Sequence, residues 1–364
     1  MVEQLTMVSL EEQLLLNSFE KVFMGAAGSG AITIADLFSA TTYTGTGSSL
    51  SIDNGIKLSN EGGLTIIKNR DQGDPNVWTD TVRGVTKRLS SGTYVNEVTD
   101  ADTLTAFNSN GFTVGADVKV NTNTEDYISW TFRQHPRFFE VQTFQTTYNV
   151  DPSTLSVDLE ANLGMAIFKR IDSGSQGTNW IVWHKNHTSH QYFNLNSGSG
   201  RLSSGTKGPI WDQSNKRFTF YGGMPVVADR LIVGNEETSD WVGYFFSHDP
   251  LGESGDGSDG FTSCGAYTGN GSTNGPTVTL GWQPQWILIK MINPNTNFSW
   301  HVFDSARGVA TDGNDAILLM DTDGAETSAA SLNILSNGFK IKSAGQALNN
   351  SGHDFLYMAI RAAD

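Results

Sequence analysis

The sequence predicts an all-β protein, with three tandem antiparallel β-sandwiches of jelly-roll or lectin-like type behind a short N-terminal helix. Three observations lead there. Charged residues make up only 17% of the chain while glycine reaches 39 of 364 positions among abundant Ser, Thr and Asn, which is the composition of many short strands joined by turns. Helical periodicity is confined to the first two dozen residues. A set of landmarks then recurs three times in the same order, and internal repetition outranks any local motif as a guide to architecture.

The helix is marked by Ser9 and Glu12, an S-x-x-E capping box, ahead of Leu10, Leu14, Leu15, Phe19, Val22 and Phe23. Gly25 and the following Gly-rich stretch end it. Residues 1–35 are therefore expected to be a docking or oligomerisation segment.

Each later unit opens with an aromatic in a Thr/Gly-rich stretch: Tyr43 in TTYTGTG, Phe144 in QTFQTTYN, Tyr267 in GAYTGNG. An apolar run ending in lysine follows: LTIIK to Lys68, MAIFK to Lys169, WILIK to Lys290. Tryptophans come next, at Trp78, at Trp180 and Trp183, and at Trp300. Units one and three then share an Asp-x-x-Arg-Gly box, Asp80/Arg83/Gly84 and Asp304/Arg307/Gly308, where unit two reads WHKNHTSH. Asn110-Gly111-Phe112 matches Asn337-Gly338-Phe339. Each unit closes on an aromatic strand introduced by Asp126, Asp240 or Asp354, at a constant spacing of 114. The expected domains are 36–135, 136–250 and 251–364.

Alternation along a strand separates its two faces. On the closing strands one face holds Ile128, Trp130 and Phe132, then Val242, Tyr244 and Phe246, then Leu356, Met358 and Ile360. All nine are apolar or aromatic, so this face is expected to fill the sandwich cores. The opposite face, led by Tyr127, is left as the one open to binding.

The first unit also resembles a repeat domain of uncertain function found in virion proteins of marine bacteriophages, especially tail-fibre proteins. The residues that carry the resemblance are Lys68, Arg70, Asp80, Arg83, Gly84, Gly111, Phe112, Gly115, Tyr127 and Trp130. The match is good over residues 60–132, partial in the third unit and weak in the second. It implies a structural or host-contacting component of a phage particle, made in the host cytoplasm and carried in the virion. A tail fibre or tail-associated adhesin is the leading expectation, with other virion proteins held through the N-terminal segment. A homotrimer is the expected oligomer and host-surface glycan the expected contact. Alternatives are a head-decoration or capsid-fibre protein, and a tailspike-like polysaccharide-degrading enzyme.

Charge and composition exclude several classes. A net charge of −15 repels a phosphate backbone, so nucleic acid is not an expected partner. No apolar run approaches the ~20 residues of a spanning helix, so membrane insertion is not expected. One cysteine, Cys264, leaves no intrachain disulfide framework.

Candidate sites are few. Trp183, Trp211 and Tyr221, in the unit that departs most from the repeat pattern, are the candidate glycan platforms. His184, His187 and His190 are weak transition-metal candidates. Acidic loops with Asp249, Glu253, Asp256 and Asp259, and with Asp312, Asp315, Asp321 and Asp323, offer oxygen ligands for Ca²⁺ without a calcium-loop signature. The expected cofactor is none. The Asp-x-x-Arg-Gly boxes read as fold-fixing pairs with glycine supplying an unusual φ, and no catalytic motif is present, so an enzyme is not the expectation.

Overall fold

The computed structural model describes residues 32–147, 153–172, 178–188, 190–203, 208–221, 238–309 and 313–363. The N-terminal helix expected over residues 9–24 lies outside them. Ile34–Asp364 forms one compact unit.

Within that unit the strands build three sandwiches of identical topology, each a six-stranded antiparallel sheet facing a three-stranded one. In every large sheet the chain-order landmarks fall in the same spatial order. The opening strand lies at the edge: Phe38–Thr44, Phe139–Thr147 or Thr262–Thr268. Next to it is the closing strand: Asp126–Arg133, Thr238–His248 or Asp354–Arg361. The lysine strand follows: Gly63–Asn69, Asn162–Arg170 or Pro284–Met291. Then comes the box strand: Val77–Asp80, Ile181–His184 or His301–Asp304.

The strand register explains the recurring aromatics and aspartates. Tyr43 lies opposite Tyr127, Phe144 opposite Trp241 and Tyr267 opposite Phe355. Each pair is stacked, at ring-centroid distances of 5.2, 6.5 and 4.9 Å, the cross-strand contact that stabilises a sheet. The recurring aspartate of each closing strand accepts a hydrogen bond from the opening strand: Thr44 to Asp126 (2.8 Å), Gln145 to Asp240 (2.7 Å) and Thr268 to Asp354 (2.7 Å). These aspartates are thus spent on sheet closure. Tyr127 is fully buried in the first sandwich core beside Phe112 and Val120. Its hydroxyl donates to the Val118 carbonyl at 2.7 Å, so the face expected to be open to binding is core.

The set Ile128/Trp130/Phe132 and its counterparts is also buried, but elsewhere. None of the nine side chains exceeds 2% exposure, while the sandwich cores are filled from the other face by Tyr127, by Trp241 and Phe245, and by Phe355 and Tyr357. The nine therefore fill the ground between sandwiches. Phe132 touches Phe246 of the second repeat (5.4 Å) and Trp286 of the third (6.1 Å). This doubled burial is why the lysine strand Gly63–Asn69 is buried at every position and reads as a continuous apolar run. Gly111 and Gly338 allow the close approach on the other sheet. A Cβ there would meet the Ile52 or Val278 carbonyl oxygen at 2.0 Å, at φ 136° and 155°.

Candidate functional site

The most built polar features of the molecule are three joints, one between each pair of repeats. In the first repeat Asp80 ends its strand and accepts Arg83 twice, from the backbone N–H at 3.0 Å and from Nε at 2.6 Å. Gly84 follows at φ 91°, left-handed geometry that glycine adopts without cost. The pair is 0–1% exposed. Burial opposes the charge on Arg83, but the Asp80 carboxylate outweighs it and raises the guanidinium above its ordinary value. Into this box comes the second repeat's Tyr244, whose hydroxyl donates to Asp80 at 2.8 Å and accepts from Arg83 at 3.3 Å.

The third repeat repeats the construction against the first. Arg307 donates to Asp304 from N (3.0 Å) and Nε (2.7 Å), both side chains fully buried, with Gly308 at φ 92°. Trp130 of the first repeat donates its indole N–H to Asp304 at 2.9 Å and lies against the Arg307 guanidinium. Trp130 and Tyr244 occupy the same place in their closing strands.

At the joint between the second and third repeats the box position is His184, 2% exposed. Its Nε2 donates to the Tyr357 carbonyl at 3.2 Å and its Nδ1 accepts from Asn186 N–H at 3.2 Å. Both nitrogens are used in the neutral form. Burial, reinforced by His187, holds its pKa well below the histidine range.

The lysines complete each joint. Lys68 donates to the Asp74 and Asp323 carbonyls (2.6 and 2.9 Å), Lys169 to those of Thr178 and Tyr94 (2.5 and 3.1 Å), and Lys290 to those of Phe298 and Gly198 (2.5 and 2.7 Å). Each ammonium thus ties its own hairpin to the preceding repeat, repeat 1 following repeat 3. The joints run 1–2, 2–3 and 3–1, a closed cycle. Trp180 and Trp300 donate to the Ser90 and Asn194 carbonyls of the preceding repeats (3.1 and 3.0 Å). In the first repeat that role falls to Asn76, which donates to Leu319 at 3.2 Å. The counterpart of Trp180 and Trp300 is therefore Asn76; Trp78 stands two positions further on, inside the strand Val77–Asp80.

His184 gives a pH prediction with a definite sign. The folded state keeps it neutral, whereas the unfolded chain protonates near pH 6.5. Its contribution is present above that pH and lost on acidification, at about 1.4 kcal/mol per pH unit. The stability advantage of wild type over His184→Gln, followed by urea melts, is expected to shrink at that rate below pH 6.5; a constant difference would contradict the assignment.

The candidate residues are distributed unevenly. Trp183 is 8% exposed and packs on Phe218 inside the second core, which leaves no free face for a sugar ring. Trp211 is half-buried at the edge of the same cluster, its indole N–H on Gln213. Tyr221 ends the strand Arg217–Tyr221. His184, His187 and His190 do not converge: His184 faces Tyr357, while His187 accepts from the His184 backbone and packs at a tilt against Phe193, ring centroids 4.5 Å apart. Burial takes the His187 pKa down to about 3.

Asp259 and Asp256 are engaged by Ser254 and Ser258, and Asp259 also by Arg137. Asp321 accepts from Trp300 N–H. Asp323 supplies only a backbone carbonyl to Lys68. Asp312 lies outside the described residues. Among the described residues no group of three or more His, Cys, Asp or Glu is placed to hold a metal ion.

One further concavity carries titratable groups. An open cleft of about 450 Å³, where the first repeat passes into the second, is lined by Glu61, Gln134, His135, Glu140 and Asp158. Burial raises the Glu140 carboxyl to about 7, and its Oε2 accepts from Asp158 N–H.

A search of the curated proteins finds no match. A family model described as Domain of unknown function (DUF7483) matches residues 33–363, a span that takes in all three repeats as a single domain. The chain belongs to this family.

Proposed function

We propose that this protein is a structural component of a bacteriophage particle, acting as a tail fibre or tail-associated adhesin at the host surface. The observation that carries the reading is where the residues of the phage-repeat resemblance lie. Lys68, Asp80, Arg83 and Trp130 are all buried in the joints between repeats, so the motif specifies how β-sandwiches lock together. Such a motif suits a part whose task is mechanical. Its ionised groups are consumed by folding, which leaves little for catalysis at those positions.

Docking to other virion proteins is assigned to residues 1–35, and a homotrimer would form through that segment, since the joints within Ile34–Asp364 are already filled by the chain's own repeats. Host glycan contact is assigned to Trp211 and to the Glu61–Glu140–Asp158 cleft, where carboxylates and an amide can bind sugar hydroxyls.

Immunogold labelling of intact particles with antibody against the purified chain tests the reading. Label on the tail is expected; label on the head would favour a decoration protein, and unlabelled particles would overturn the proposal. Purified protein is also expected to bind host cells and compete with infection, with Trp211→Ala weakening both. Depletion of host polysaccharide on incubation would favour the depolymerase alternative.

A further inference from the structure

The cycle of joints is closed by one chain, but only two of its three joints are bridged by the chain itself. The first and second repeats are joined through residues 134–138, and the second and third through 249–261. The third and first meet without a covalent bridge and are closed by side-chain and backbone hydrogen bonds. There Arg70 forms a two-pronged ion pair with Glu326 (2.7 and 2.9 Å), Glu326 also takes Arg307 (3.1 Å), and Glu326 N–H donates to the Arg70 carbonyl (2.8 Å). Asn76 and Ser91 add bonds to the Leu319 and Met320 carbonyls. Nothing in this seam depends on the two repeats belonging to the same molecule.

The path of 249–261 decides which molecule the third repeat completes. Gly252, Gly255 and Gly257 all have positive φ, at 67°, 75° and 87°, so the segment is built from hinge-competent positions. From the third repeat, Trp282 donates to the Pro250 carbonyl (3.0 Å) and Arg361 to the carbonyls of Gly257 (3.0 Å) and Ser258; from the second repeat's side its course is held by Arg137. Arg137, 9% exposed, donates to Asp249 from Nε (2.9 Å) and Nη2 (2.7 Å) and to Asp259 from Nη1 (3.3 Å).

We propose that the third repeat is exchangeable between two copies of this chain, so that each copy's third repeat seats in the other's first and second repeats, with Arg137 as the clasp that favours self-closure. All three joints are kept in the exchanged dimer; only the linker changes course. Exchange of an identical element in this way is a low-cost route to a dimer, favoured when concentration competes with the effective concentration of the tether.

The test is to unfold the full chain in denaturant and refold it at low and high protein concentration, reading mass by light scattering. At high concentration a species of twice the mass, with the monomer's circular dichroism and stable to dilution, is expected. Arg137→Ala is expected to raise its share several-fold. A variant carrying Arg70→Cys and Glu326→Cys ties the first and third repeats of one chain together. A 2.8 Å backbone bond already brings these two residues together, and the variant is made on a Cys264→Ala background, because unfolding exposes that otherwise buried thiol. Oxidised before refolding, the variant is expected to remain monomeric; reduced, it is expected to dimerise. Absence of the double-mass species from wild type at every concentration, or its formation by the oxidised variant, would overturn the proposal.

Discussion

Replacing Asp304 with leucine is expected to destabilise the protein by about 3–5 kcal/mol, because it strands the guanidinium of Arg307 in a fully buried site. Glu326 at 3.1 Å compensates only in part, and the Trp130 indole N–H loses its acceptor across the joint. Arg307→Met should cost a similar amount, since it leaves the carboxylate unpaired. The double variant is expected to recover most of the loss, because two apolar side chains avoid desolvating charge. A double-mutant cycle by urea denaturation reads the coupling directly. The exposed pair Lys57–Glu61, at 47% and 34% exposure, is the control, with an expected effect below about 1 kcal/mol. Equal effects at the two pairs would contradict the burial argument.

Phe132→Ala is expected to cost about 3–5 kcal/mol, the range for deleting a buried aromatic ring. Its ring touches Phe38 of its own repeat, Phe139 and Phe246 of the second and Trp286 of the third. The loss should therefore appear as a lower midpoint for the whole of Ile34–Asp364. A partial unfolding step confined to the first repeat, seen by hydrogen exchange, would show instead that Phe132 serves one sandwich alone.

Much of this architecture was legible in the sequence. Composition and landmark order pointed to three antiparallel sandwiches, and constant spacing placed equivalent strands. The Asp-x-x-Arg-Gly boxes read as fold-fixing pairs in the sequence, and in the structure each is a buried ion pair. Which face of the closing strand looks where was not legible. Alternation divides a strand into two faces but does not say what each face meets, and here both meet protein. A clue lay in Tyr127, Trp241 and Phe355, large aromatics on a face that a solvated sheet would leave polar. The equivalence of Asn76 with Trp180 and Trp300 was hidden because the shared property is a side-chain N–H donor, not a residue type.

Partners across joints, such as Tyr244 with Asp80 or Glu326 with Arg70, are separated by 164 and 256 residues. No local pattern connects them. Residue type alone does not distinguish the core ring Trp183 from the half-buried Trp211.

The central claim is that three repeats closed in a cycle behave as one body, and scanning calorimetry of the intact chain tests it most directly. Separate domains in a row would melt in several steps, as multidomain chains commonly do. The cycle predicts one main transition whose calorimetric and van't Hoff enthalpies agree, moved as a unit by Asp304→Leu. Three resolved transitions, only one of them shifted by that substitution, would contradict it.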